Sequence, residues 1–110
     1  MFGILTQKNV GINMKEAQKE LEKDENIVLI DVRTREEYLQ GHIKGSINIP
    51  LNLLPVLMEE KVSDRNARIF VYCLSGGRSS QACRWMIGNG FTDVTNIGGI
   101  SSWNGPIVRG

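Results

Sequence analysis

A chain of 110 residues, 41% hydrophobic and 23% charged, has the composition of one ordinary globular domain, with material for a single hydrophobic core and too little for two. Thirteen basic residues against twelve acidic ones leave a net charge of +1, which speaks against a polyanion-binding surface and so against nucleic acid as a partner. No stretch approaches the ~18 apolar residues of a membrane span, and residues 1–10 lack a basic segment followed by an apolar one. A cytoplasmic protein with no membrane partner is expected, folded as a single domain over residues 1–110. In a reducing compartment its two cysteines, Cys73 and Cys83, are expected to be free rather than bridged. With no C-x-x-C pair and one histidine, a structural zinc site is not indicated.

In chain order, residues 2–6 alternate loosely and are read as a short edge strand ended by Gln7-Lys8-Asn9. Asn13 is placed to cap a helix, with Glu16 at its third position to reciprocate. Met14, Ala17 and Leu21 share one face of that helix, while Lys15, Lys19, Glu20, Glu22 and Lys23 form a solvated one. Ile27-Val28-Leu29-Ile30 is a continuous apolar run ending in Asp31, as in a strand covered on both faces of a parallel sheet. Thr34-Arg35-Glu36-Glu37 is a capping box that opens a short helix, and Gly41 ends it. Residues 41–50 begin as a turn and become a short strand closed by Pro50. Asn52 is expected to cap a further helix, with Pro55 in its first turn and Leu54, Leu57 and Met58 facing inward.

The run Ile69-Phe70-Val71-Tyr72-Cys73 reads as a buried strand that delivers a cysteine into the turn Leu74-Ser75-Gly76-Gly77. From Arg78 the spacing becomes helical, with Ala82, Cys83, Met86 and Ile87 as its apolar stripe, and Gly88-Asn89-Gly90 is the stop. Residues 91–97 give one more strand, and Gly98-Gly99 turns the chain into a last segment carrying Trp103. The alternation of strands and helices argues an α/β fold with a mainly parallel sheet, whose ligand lies beyond the carboxyl ends of the strands. Cys73 and Asp31 both sit at such ends. Unpaired N–H groups of the turn and the first helical turn converge there with the positive end of the helix dipole, favouring a thiolate on Cys73. Arg78 is expected to add its guanidinium, and both Gly76 and Gly77 are expected to supply positive φ. On composition alone, a buried and inert Cys73 is the alternative; the Gly-Gly-Arg-Ser context tips the reading towards a reactive thiol.

Four motifs in order, Asp31-Val32-Arg33 with Glu37-Tyr38, the segment Gly41-His42-Ile43-Lys44-Gly45-Ser46-Ile47-Asn48-Ile49-Pro50, the loop Tyr72-Cys73-Leu74-Ser75-Gly76-Gly77-Arg78-Ser79, and Gly98-Gly99-Ile100 with Trp103, resemble a single-domain rhodanese over roughly residues 10 to 110. The resemblance implies a small twisted parallel sheet of five strands with helices on both faces. It also implies a sulfurtransferase in which Cys73 takes a sulfane sulfur from thiosulfate or a persulfide and passes it to a thiol or cyanide acceptor. A protein persulfide as donor or acceptor fits the same chemistry, and no metal or organic cofactor is required. Leu74, Ser75, Gly76, Gly77, Arg78 and Ser79 are then the substrate-binding loop. Asp31 and Arg33 are its structural support, and His42 a structural histidine turned away from the thiol. Cys83 on the apolar stripe is read as inert rather than as a resolving cysteine, and Trp85 and Trp103 as packing.

The spacer from Cys73 to Arg78 holds four residues, the shorter loop associated with sulfur transfer; the related phosphatases resemble a loop one residue longer. A Cys-based phosphatase or arsenate reductase is therefore the weaker enzymatic alternative, and a non-turnover sulfur carrier that docks on a partner is the non-enzymatic one. Two departures from the family pattern stand out: Arg35 where many relatives have proline, and a single cation, Arg78, in the loop. One cation predicts weak affinity for doubly charged thiosulfate.

Overall fold

Strand β4 (Arg68–Cys73) carries apolar side chains at every position after Arg68, and such a strand is stable only where both its faces are covered. It lies at the centre of the molecule. The computed structural model describes residues 11–110, so the strand expected over residues 2–6 falls outside the described residues. Within them, β1 (Val28–Asp31), β3 (Ile47–Asn48), β4 and β5 (Asp93–Gly99) form a parallel sheet in the order β3-β1-β4-β5. Four strands are thus described where five are expected. Ile12 donates its N–H to the Asn96 carbonyl at 3.1 Å, tying the start of the described chain to β5.

Alternation along β1 and β4 sends successive side chains to opposite faces. On one face Ile30, Val32, Ile69, Val71 and Cys73 pack with Leu54 and Met58 of α3 (Leu54–Lys61) and with Ala82, Cys83 and Met86 of α4 (Gly77–Gly88). On the other, Leu29, Phe70 and Tyr72 pack with Met14 and Ala17 of α1 (Met14–Lys23), and with Ile43 and Ile97. Each buried Val, Leu, Ile, Phe or Met among them contributes about 1.5–3 kcal/mol of transfer free energy, so both layers are needed to hold the sheet. The sequence expectation of helices on both faces is met.

The short helix α2 (Arg35–Gln40) carries both halves of its capping box: Glu37 N–H donates to Thr34 Oγ1 at 3.2 Å, and Thr34 N–H donates to Glu37 Oε1 at 2.9 Å. At α1 the Asn13 side chain accepts from Glu16 N–H at 2.9 Å, which is one half of the expected exchange. Asn52 does not cap α3. A 3-10 turn over Leu51–Leu53 precedes that helix, Leu53 holds its cap position, and Pro55 occupies the first turn as anticipated. Residues 98 and 99 continue β5 instead of turning, and a second 3-10 turn, Ile100–Ser102, follows. The sequence reading also missed β2 (His42–Ile43), which pairs antiparallel with β6 (Ile107–Val108) and brings the end of the chain beside the carboxyl ends of the main strands. No helix among the described residues is long and apolar enough to cross a membrane.

Candidate active site

Cys73 is the last residue of β4 and pairs in register with Gly99 on β5. Four residues later the chain is already in the first turn of α4, and the compression depends on two glycines. Gly76, the N-cap of α4, has φ of +112°, a conformation that costs any other residue strain. Gly99 is required for a different reason: a Cβ there would collide with the Leu74 carbonyl oxygen, so β5 lies flush against the loop only without a side chain. Gly77 departs from expectation. It is the first residue of α4, is not among the positive-φ glycines, and has open space where a Cβ would point. Leu74 is held by its carbonyl, which accepts from Ser101 N–H at 3.4 Å and Ser101 Oγ at 3.1 Å, while its side chain is 48% exposed.

The resulting turn wraps the sulfur. Gly76 N–H donates to Cys73 Sγ at 3.0 Å, Ser79 N–H at 3.4 Å, and Ser79 Oγ lies 3.5 Å away. Cys73 is only 1% exposed. Burial pushes its thiol up, but the Ser79 hydroxyl and N–H, with the N–H groups of Gly76 and Ser75, outweigh burial and bring the thiol below its ordinary value. Sγ also sits at the start of a helix of 12 residues, whose dipole favours negative charge at that end.

Arg78 does not reach the sulfur by a hydrogen bond. Its Nη1 donates to Glu37 Oε1 at 2.7 Å and its Nη2 to Glu37 Oε2 at 3.1 Å, a two-pronged pair that engages the whole guanidinium edge. Glu37 is lowered to about 2, first by that hydrogen bond and, more weakly, by the Thr34 N–H and hydroxyl. The carboxylate that completes the cap of α2 therefore also anchors the first turn of α4 through Arg78. The expectation that Arg78 holds the thiolate gives way to one in which hydroxyl and backbone donors do so, with the guanidinium a more distant charge already paired.

Asp31 and Arg33 form a buried pair at the end of β1: Arg33 Nη2 to Asp31 Oδ2 is 2.7 Å, and Arg33 Nε meets both carboxylate oxygens at 3.1 Å. Arg33 Nη2 also donates to the Gly41 carbonyl at 2.7 Å, so the pair joins the end of β1 to the turn before β2. The pair's described side-chain hydrogen bonds run within the pair and to that turn. His42 has its Nδ1 2.8 Å from the Tyr38 carbonyl oxygen and its ring stacked on Tyr38 at 3.6 Å, which leaves it a packing role. Cys83 lies in the apolar layer beneath α4, and burial raises its thiol to about 12. Trp85 packs against that layer and Trp103 against the other.

Asn96 belongs to the site yet lies outside the four sequence motifs. Its Oδ1 accepts from Ser79 Oγ at 2.7 Å and from Gly98 N–H at 2.9 Å, and its Nδ2 donates to the Gly76 carbonyl at 3.3 Å. The available signal was an amide two residues beyond Val94, on the strand face that Val94 buries against α4. Beside the loop, a hollow of about 400 Å³ opens between Gly41, Leu74, Ile100 and Ile107, and another of about 320 Å³ between Val32, Pro50, Leu51 and Arg78.

The family model described as a rhodanese-like domain matches residues 13–106. A sulfurtransferase of Allochromatium vinosum is 37% identical over 93 residues, which cover 84% of this chain and 85% of the relative. Thiosulfate sulfurtransferase PspE of Escherichia coli is 41% identical over 81 residues, 74% of this chain and 78% of that one. Among solved structures, the rhodanese-like domain of an Anabaena protein superposes with a TM-score of 0.80 at 28% identity, covering 90% of this chain and 78% of the other. A cysteine cradled between a parallel strand and a helix start, in a chain matched along most of its length, places the protein in the rhodanese-like family.

Proposed function

We propose that the protein is a sulfurtransferase that moves a sulfane sulfur from thiosulfate or a persulfide to a thiophilic acceptor, through a persulfide on Cys73. The observation that carries this reading is the set of donors around Sγ, with Gly76 N–H at 3.0 Å and Ser79 N–H at 3.4 Å in a loop that closes on the sulfur. The Cys73 thiolate attacks the outer sulfur of the donor; the Sγ–S bond forms, the donor's S–S bond breaks, and the electron pair leaves with sulfite or the donor thiolate. A thiol or cyanide then attacks the outer sulfur, and Cys73 departs as the thiolate that the loop already stabilises. N–H groups between Leu74 and Arg78 cradle the added sulfur, with Ser75, Gly76, Gly77 and Ser79 contributing backbone and hydroxyl donors. The cycle is redox-neutral and calls for no cofactor.

Persulfide donors suit this loop better than thiosulfate. The single loop cation is paired with Glu37 at 2.7 Å, so a dianion meets a nearly neutral ion pair instead of a free guanidinium. Leu74 and Ile107, 48% and 45% exposed, flank the neighbouring hollow and give its mouth an apolar rim that suits a persulfide carried on a protein. The same rim favours a second reading, a docking carrier that loads and unloads sulfur without steady turnover of its own.

Intact-mass measurement after exposure to thiosulfate or glutathione persulfide, followed by cyanide turnover, tests these readings. One added sulfur is expected on the wild type and on Cys83→Ser, and none on Cys73→Ser, whose turnover falls on the order of a thousandfold or more. Sulfur that survives Cys73→Ser and vanishes in Cys83→Ser overturns the site. Loading without cyanide turnover selects the carrier, and appreciable aryl phosphate hydrolysis would favour the phosphatase alternative.

A further inference from the structure

Ser79 is fully buried, and its hydroxyl has one proton for three neighbours: Asn96 Oδ1 at 2.7 Å, the Gly76 carbonyl at 3.1 Å and Cys73 Sγ at 3.5 Å. A hydroxyl donates once, so these neighbours compete. The Asn96 amide cannot turn over to escape the competition. Its Oδ1 must face the Gly98 N–H at 2.9 Å, and its Nδ2 must face the Gly76 carbonyl at 3.3 Å. Asn96 itself is held from the backbone, its carbonyl accepting from Ile12 N–H at 3.1 Å.

We propose that Asn96 is a positioning residue for the nucleophile, acting as the alternate acceptor that receives the Ser79 O–H hydrogen bond whenever Cys73 sulfur is neutral and gives it up when the sulfur is charged. In the thiol state Cys73 S–H donates to Ser79 Oγ, and Ser79 O–H donates to Asn96 Oδ1. On ionisation the thiol proton goes to bulk water and the hydroxyl turns to Sγ, joining the N–H groups of Gly76 and Ser79. When Sγ becomes the inner atom of a persulfide it is neutral again, and the hydroxyl returns to Asn96. A buried hydroxyl with no acceptor is costly, so a fixed second acceptor lets the loop keep one backbone geometry through the cycle. The inference rests on Cys73 as the sulfur-carrying nucleophile.

The ionisable groups on the elements around the thiol are Arg78, closed off by Glu37, the Cys83 thiol on α4, Tyr72 on the opposite face of β4, and the Asp31–Arg33 pair at the end of β1. The side-chain hydrogen bonds described for Asn96 and Ser79 join the two to each other and run to Cys73, Gly76 and Gly98 and to none of those groups, which makes their coupling to the sulfur separable.

The test is the pH profile of Cys73 alkylation by iodoacetamide, which needs no sulfur donor and so is independent of the outcome of sulfur loading. In Asn96→Ala the strongest competitor for the proton is gone, the thiolate keeps its donor, and the profile moves to lower pH by a few tenths to about one unit. In Asn96→Asp a carboxylate keeps the hydroxyl acceptor but holds the proton harder and repels the thiolate, and the profile moves to higher pH. In a Ser79→Ala background the Asn96→Ala shift disappears and the Asn96→Asp shift shrinks to its Coulombic part. A merely structural Asn96 would lower the thermal midpoint and leave the profile in place. An unmoved Asn96→Ala profile, or shifts of equal size with and without the Ser79 hydroxyl, overturns the proposal. Should Asn96→Ala fail to fold, the Asn96→Asp pair decides it in the same way.

Discussion

Cys73 and Cys83 lie in the same apolar layer, 1% and 4% exposed, and the first physical effect on each is the same, burial pushing the thiol up. They end in opposite places. Cys83 rises to about 12, with only a weak opposing pull from Arg84, because it sits inside α4, where backbone N–H groups are already committed to carbonyls one turn back. Cys73 falls below its ordinary value because it sits just before that helix, where the N–H groups of Gly76 and Ser79 have no carbonyl to serve and the Ser79 hydroxyl is at hand. Ten positions of sequence separate a thiol lowered by donors from one raised by burial, and what changes between them is the supply of unsatisfied donors rather than exposure.

The largest effect that could break this comparison is differential alkylation. With Cys83 raised to about 12 by burial and Cys73 held below its ordinary value by its donors, the thiolate at neutral pH is far more populated on Cys73, before any penalty for reaching a sulfur under a helix. Limiting iodoacetamide should modify one cysteine in the native protein, identified as Cys73 by peptide mapping, and the second only after denaturation. Comparable labelling of both in the folded state would mean that burial, and not donor supply, governs the pair.

Most of the fold was legible because periodicity reports burial. The uninterrupted run at 69–73 gave β4, the stripe of Ala82, Cys83 and Met86 gave the inner face of α4, and Thr34 with Glu37 gave the cap of α2. The loop after Cys73 was legible for a related reason, since a strand end, a glycine and a helix start are all local signals. What failed to show was whatever depends on contacts between distant segments. Nothing in the spacing joins Glu37 to Arg78 across 41 positions, or Asn96 to Ser79 across 17. Gly98-Gly99 looked like a turn because a glycine needed for close approach leaves the same mark in a sequence as a glycine needed for positive φ. The pairing of β2 with β6 was invisible because two residues on each side are too few to carry a period.

The Glu37–Arg78 contact gives the next prediction, since it explains why Cys73 depends on backbone and hydroxyl donors instead of a cation. Glu37→Gln leaves the guanidinium with unopposed charge beside the loop. The KM for thiosulfate should fall by between about twofold and tenfold at low ionic strength, with the gain shrinking as salt screens it, while the KM for a neutral persulfide stays within error. An unchanged thiosulfate KM would show that the pairing does not govern donor choice. The same variant has a stability signature. Glu37 has its folded value depressed from 4.5 to about 2, so its contribution is complete above about 4.5 and is lost as pH falls towards 2. The difference in thermal midpoint between wild type and variant should therefore be greatest near neutrality and narrow progressively between pH 4.5 and 2.

The smallest effect separates the two cysteines by what each pocket does with a hydroxyl. At position 83 alanine leaves a small cavity among Ala82, Met86 and the strand side chains, costing about 1 kcal/mol, whereas serine buries an oxygen whose only recourse is a carbonyl one turn back in the helix, costing about 1–2 kcal/mol. At position 73 the order should reverse. A serine hydroxyl there accepts from the Gly76 and Ser79 N–H groups that meet sulfur at 3.0 and 3.4 Å, while alanine leaves both donors facing nothing. Urea denaturation of Cys73→Ser, Cys73→Ala, Cys83→Ser and Cys83→Ala should thus rank serine above alanine at 73 and alanine above serine at 83, each gap being of the order of 1 kcal/mol. The same ranking at both positions would mean that the loop's donors do not favour a polar atom at 73, and the contrast between the two sulfurs would then need another cause.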